Sequence, residues 1–77
     1  MSEKQALELA ISRAGSQSEL ARQLSDMTGE QVNQSTISMW LTRYEGRATP
    51  RLCRYIESLT GVKASDLRPD HYGEITV

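Results

Sequence analysis

Residues 16–41, SQSELARQLSDMTGEQVNQSTISMWL, decide how this chain folds. Ser16 with Glu19 three residues on reads as a capping box, which starts a helix by satisfying its orphan N–H groups. Leu20, Ala21, Leu24 and Met27 then supply an apolar stripe, and Thr28-Gly29 is the stop. Glu30 and Gln31 form a polar connection, Val32 is an isolated apolar anchor, and Asn33 is an N-cap for a second helix. In that helix Ile37, Trp40, Leu41 and Tyr44 recur at i, i+3, i+4 and i+7. At 100° per residue they fall within about 60° of Ile37 and mark the buried side, which Gly46 closes. Two helices joined this way must cross.

The flanks add two more helices. Ser2 and Gln5 form another capping box, Leu7, Ala10, Ile11 and Ala14 another helical stripe, and Gly15 ends it. Downstream, Thr49-Pro50 places a cap and a proline at the first helical position. Leu52, Cys53, Ile56, Leu59 and Thr60 make the inner face up to Gly61. Ser65-Asp66-Leu67 is a short helical turn ended by Arg68-Pro69. The predicted fold is all-α, a small four- to five-helix bundle. Residues 1–68 form the domain, and residues 69–77 form a loosely held tail in which Ile75-Thr76-Val77 has strand character.

Composition bounds the function classes. Seventy-seven residues make one domain, with 38% hydrophobic and 25% charged residues and no stretch long enough to span a bilayer. The opening MSEKQALELA lacks a basic segment followed by an apolar one, so the expected location is the cytoplasm of a bacterial host cell, with no membrane association. One cysteine and one histidine leave no internal disulfide and no four-ligand metal site, and no cofactor is expected. His71 has no base or nucleophile in a triad-like arrangement, and an enzyme is not expected. Trp40 and Cys53 sit on apolar stripes and read as core, not as a stacking platform or a redox switch. Tyr44 and Tyr55 read as half-buried, and Arg54 with Glu57 as a surface pair.

The formal net charge is -1, but it is unevenly spread. Between residues 34 and 54 stand Arg43, Arg47, Arg51 and Arg54 against Glu45 alone, while both flanks are net acidic. That block is either ordinary solvated surface or a localised phosphate-binding face; its being all arginine favours the latter, since the guanidinium fork suits phosphate oxygens. The polar side of the second helix is unusual too. It presents Ser35, Ser38, Met39 and Thr42, with Gln34 projecting from the first turn and no acid before Glu45. Solvated helices more often carry Lys-Glu pairs. Such a face suits a duplex groove: Gln34 can hold adenine by two hydrogen bonds, Ser35 and Ser38 can donate or accept, and the Met39 methyl can meet a thymine methyl. Gln17 and Ser18, at the N-terminus of the preceding helix, with Asn33 and Thr36, are candidates for the sugar–phosphate backbone. Arg43, Arg47 and Arg51 would clamp the flanking phosphates.

AGSQSELARQL (residues 14–24), VNQSTISMWL (32–41), RATP (47–50), YIESLTG (55–61) and DLRPDHY (66–72) together resemble the Cro-type helix-turn-helix repressors of lambdoid phages and prophages. The resemblance is closest to the Cro/YdaS-like subgroup, found in prophage regulatory regions, some of whose members are described as antitoxins. It covers residues 5–72. It implies a lambda-repressor-like DNA-binding domain with Asn33, Gln34, Ser35 and Ser38 on the recognition helix and Gln17 and Ser18 on the backbone-contacting end before it. One departure stands out: Leu24 and Trp40 are further apart than in the family's pattern. Either the helix that starts at Ser16 or the turn after it must be longer. The expected function is a sequence-specific repressor that binds a palindromic double-stranded DNA operator as a homodimer, because one short helix reads too few base pairs. The rival reading is an antitoxin-like module that neutralises a toxin partner, with DNA binding secondary. The dimer surface is expected on the outer face of the last long helix, residues 62–72 and the tail, where Val62, Leu67, Tyr72, Ile75 and Val77 have no evident place in a core.

Overall fold

A computed structural model of the chain describes residues 2–72. Its helices are α1 (Glu3–Ala14), α2 (Gln17–Thr28), α3 (Gln34–Thr42), α4 (Pro50–Thr60), α5 (Ala64–Leu67) and α6 (Pro69–Tyr72). The local signals operate as their chemistry dictates. Ser2 and Gln5 exchange side-chain to backbone bonds at 3.1 and 3.0 Å, a reciprocal capping box. At α2 only half of the box forms: Ser16 Oγ accepts the Glu19 N–H at 3.1 Å, while the Glu19 carboxylate turns to Arg22. Asn33 Oδ1 accepts the Thr36 N–H, also at 3.1 Å, and caps α3. Pro50 opens α4, but Thr49 makes no side-chain cap.

The core gathers Leu7 and Ala10 from α1, Leu20 and Leu24 from α2, Ile37 and Trp40 from α3, and Leu52, Cys53 and Ile56 from α4. α1 and α4 pack against each other and against both α2 and α5, and α3 packs along α2. Val62 and Leu67, offered to a dimer surface on sequence grounds, belong to this core and are buried. The chain turns at Gly61 and presses α5 onto α1 and α4, which gives these residues an inside to face. Arg68 breaks the helical path at φ -140, and α6 then forms where the sequence suggested a loose tail. Tyr72 packs against the core, and its hydroxyl donates to the Pro50 carbonyl at 2.7 Å. Residues 73–77 of the expected tail, with Ile75 and Val77, lie outside the described residues.

Three other expectations change. Tyr44 is 54% exposed instead of on the buried side, because α3 ends at Thr42 and the wheel of 100° per residue stops there. Glu45 and Gly46 both take positive φ, 56 and 80, and turn the chain away. Arg54 does not pair with Glu57: it lies over the Tyr72 ring, 5.6 Å from its centre, and Glu57 Oε1 accepts the Ala64 N–H at 2.9 Å. Met27 is exposed, on a part of α2 that the lengthened connection leaves uncovered.

Both α2 and its connection are long. α2 runs to Thr28, ends in a left-handed Gly29, and residues 29–32 fold back along its last turn. Ser25 Oγ fastens them: it accepts the Val32 N–H at 2.9 Å and lies 2.7 Å from the Val32 carbonyl and 2.9 Å from that of Ala21. Val32 itself is buried. Met27 sits about 200° round the helix from Ser25, on the side this return does not cover. The added residues are therefore absorbed as a protruding helical turn and a hairpin-like return.

Candidate nucleic-acid interface

That return decides where α3 starts. It carries the chain back along α2 far enough that Gln34, the first residue of α3, meets Gln17, the first residue of α2, with Nε2 donating to Oε1 at 3.4 Å. The first side chains of the two helices thus meet. Ser18 and Ser35, one residue further along each helix, are exposed. Asn33 is exposed but its carbonyl oxygen is committed to capping, with the Thr36 hydroxyl also donating to it at 3.2 Å; only its NH2 is free for a ligand. Thr36 and Ser38 are half-buried, and Met39 is 40% exposed. No acid stands in the first turn of α3.

The arginines are divided. Arg43 is the C-cap of α3, exposed, and among the described residues makes no ion pair. It shares an open cleft of about 590 Å³ with Thr36, Met39, Trp40, Tyr44 and Arg47, between the end of α3 and the start of α4. Arg47 projects from the intervening loop. Its Nε is shielded from solvent, has no hydrogen-bond partner, and lies 3.7 Å from Glu3 Oε1. Arg51, the second residue of α4, does not line this cleft; its guanidinium is paired with Glu30 on the returning segment. That contact holds the Arg51 pKa above its ordinary value.

Sequence reading missed two residues that shape the cleft. Arg68, which the local pattern presents only as a helix stop, donates to the Ala48 carbonyl at 3.0 Å and so fixes the loop that carries Arg47. Its other nitrogens grip both oxygens of Asp70, at 3.0 and 2.8 Å, and this holds the Asp70 carboxyl down at about 2. A signal was present in the adjacent Arg68-Pro69-Asp70, since a proline between opposite charges fixes their spacing. Gly46 is the other. It is buried, and a Cβ there would stand 2.4 Å from the Lys4 Cα, so the loop seats directly on the backbone of α1. At the α2 end, Arg22 holds Glu19 at 2.9 Å and Asp26 at 3.1 Å; the paired guanidinium holds the Glu19 carboxyl below its ordinary pKa. Among the described residues no group of His, Cys, Asp or Glu could hold a metal ion, and no helix is long and apolar enough to cross a membrane. Burial pushes the Cys53 thiol up to about 11, which keeps it protonated and inert at neutral pH.

A family model described as "Bacterial toxin YdaS" matches residues 7–76. No curated protein and no solved structure matches the chain. The match takes in α2, α3, α4 and most of α1, and the chain belongs to the YdaS family.

Proposed function

We propose that this protein is a Cro-type repressor that binds double-stranded DNA by sequence, as a homodimer on a palindromic operator, and acts by denying polymerase the promoter. The observation that carries the reading is the meeting of Gln17 and Gln34 across the N-termini of α2 and α3. Ser25 fastens the return that leads from α2 into α3. The first turn of α2 then neighbours a helix face of small polar side chains without acids, which supports the reading. Gln34, Ser35, Ser38 and Met39 would read base edges, and Gln17, Ser18, Asn33 and Thr36 would contact the backbone. Arg43 and Arg47, beyond the other end of α3, would neutralise phosphates, and so would Arg51 wherever a phosphate displaces Glu30.

The second reading, a module that acts on or neutralises a protein partner in a toxin system, is favoured by the family's description and by the net acidic flanks. Selection of bound sequences from a random duplex pool separates the two. The repressor reading expects a palindromic consensus, with retention that falls steeply with salt. Removing the charge of Arg43 or Arg47 should flatten the salt slope by about one for each phosphate that is no longer neutralised. A pool that stays random, together with a defined protein that co-purifies, would establish the second reading instead.

A further inference from the structure

α4 begins Pro50-Arg51-Leu52 and has no acid in its first turn. A helix N-terminus carries partial positive charge, so a guanidinium at the second helical position opposes the helix dipole. Packing does not account for Arg51 either, since its side chain is 62% exposed. The charge is met instead by Glu30, 21 residues earlier in the chain, whose Oε2 accepts from Arg51 Nη1. Glu30 is held in place to do this. Gly29 takes the left-handed conformation, the Glu30 N–H donates to Thr28 Oγ1 at 3.1 Å, and that hydroxyl donates to the Leu24 carbonyl at 2.8 Å. The lengthened connection therefore delivers a carboxylate onto an arginine of the candidate phosphate-binding set.

We propose that Glu30 is an internal competitor that occupies Arg51 and withholds it from duplex phosphates, so that the lengthened connection sets the overall affinity of the interface. This rests on the duplex-binding reading above. Affinity for arbitrary sequence comes from phosphates neutralised and counterions released, so each arginine set free adds to both the affinity and its salt dependence. A carboxylate already seated on Arg51 has to leave before a phosphate can take its place. Both groups stand in solvent, so the fold does not depend on the pair, and its removal isolates the effect on binding.

The test is a fluorescence-anisotropy titration of a random-sequence duplex across a series of salt concentrations. It compares the wild type with Glu30→Gln and with Glu8→Gln, an exposed acid on α1 that serves as the control for net charge. Each is measured with Arg51 present and with Arg51→Ala. Glu30→Gln should bind about three- to tenfold more tightly at low salt, with a slope steeper by about one, and well beyond Glu8→Gln. The gain should vanish in the Arg51→Ala background. A gain equal to that of Glu8→Gln, or one that persists without Arg51, would overturn the proposal while leaving duplex binding intact. No binding by any of the proteins would overturn the duplex reading and this proposal with it.

Discussion

Gly46 shows how a single residue sets the interface. It lies at φ 80 with the Lys4 backbone where a side chain would begin. Gly46→Ala has to move the loop or α1, and backbone cannot give way as a side chain can. A loss of about 2–4 kcal/mol in urea unfolding is expected, together with weaker duplex binding through displaced Arg47. Asp70 acts on the same loop through Arg68. Its carboxyl titrates at about 2 in the folded protein against an ordinary 3.8, so its contribution is present above pH 4 and is lost as pH falls through 2. Asp70→Asn should therefore unfold at lower urea than wild type at neutral pH, with the gap closing between about pH 4 and pH 2. A gap that does not change with pH would mean Asp70 acts through its shape and not its charge. The positions of Arg43 and Arg47 in the sequence told of a positive patch, but not of its two anchors. Both anchors, Gly46 on Lys4 and Arg68 on Ala48, join residues far apart in the chain, which no local pattern encodes.

At the scale of elements, the long helices were legible because capping residues, apolar spacing and terminal glycines agree. Ser2, Asn33, Pro50, Gly29 and Gly61 each do locally what their chemistry favours. The wheel misled only at ends, where the helix had stopped before Tyr44 or had outrun its cover at Met27. Between the two helices the stop at Gly29, the anchor at Val32 and the cap at Asn33 were legible; the path between them was not, because it depends on the Ser25 hydroxyl reaching Val32 seven residues on. Ser25→Ala would leave the Val32 N–H and carbonyl without that partner in a part-buried site. The expected destabilisation is about 1–3 kcal/mol by thermal or urea denaturation. Specific duplex binding should fall further than stability alone explains, because the return is what places Gln34 on Gln17. If Ser25→Ala binds operator normally once folded, the return does not position α3.

For the whole molecule, the proposed function requires a chain of net charge -1 to hold a polyanion. Long-range attraction is weak, and of the candidate arginines Arg47 and Arg51 already face carboxylates, Glu3 and Glu30. In the proposed reading, a second protomer on a two-fold related half-site would supply the missing affinity through effective concentration. Of the apolar residues considered for such a dimer, Val62 and Leu67 are buried, Tyr72 is bonded to Pro50, and Ile75 and Val77 lie outside the described residues; on the outer face of α4, Tyr55 is exposed. A weak dimer that tightens on a palindrome is expected, checked by light scattering with and without full-length operator. A protomer that binds a lone half-site as tightly as the full site would exclude it.

The central claim is that α3 reads sequence through the face that begins at Gln34. Its most direct test is an anisotropy titration of wild type, Gln34→Ala and Ser35→Ala on the duplex recovered by selection and on a scrambled duplex of the same composition. The predicted result is a penalty of roughly 1–3 kcal/mol per substitution on the selected duplex and almost none on the scrambled one, because base contacts specify and phosphate contacts do not. Equal penalties on both duplexes, or none on either, would contradict it.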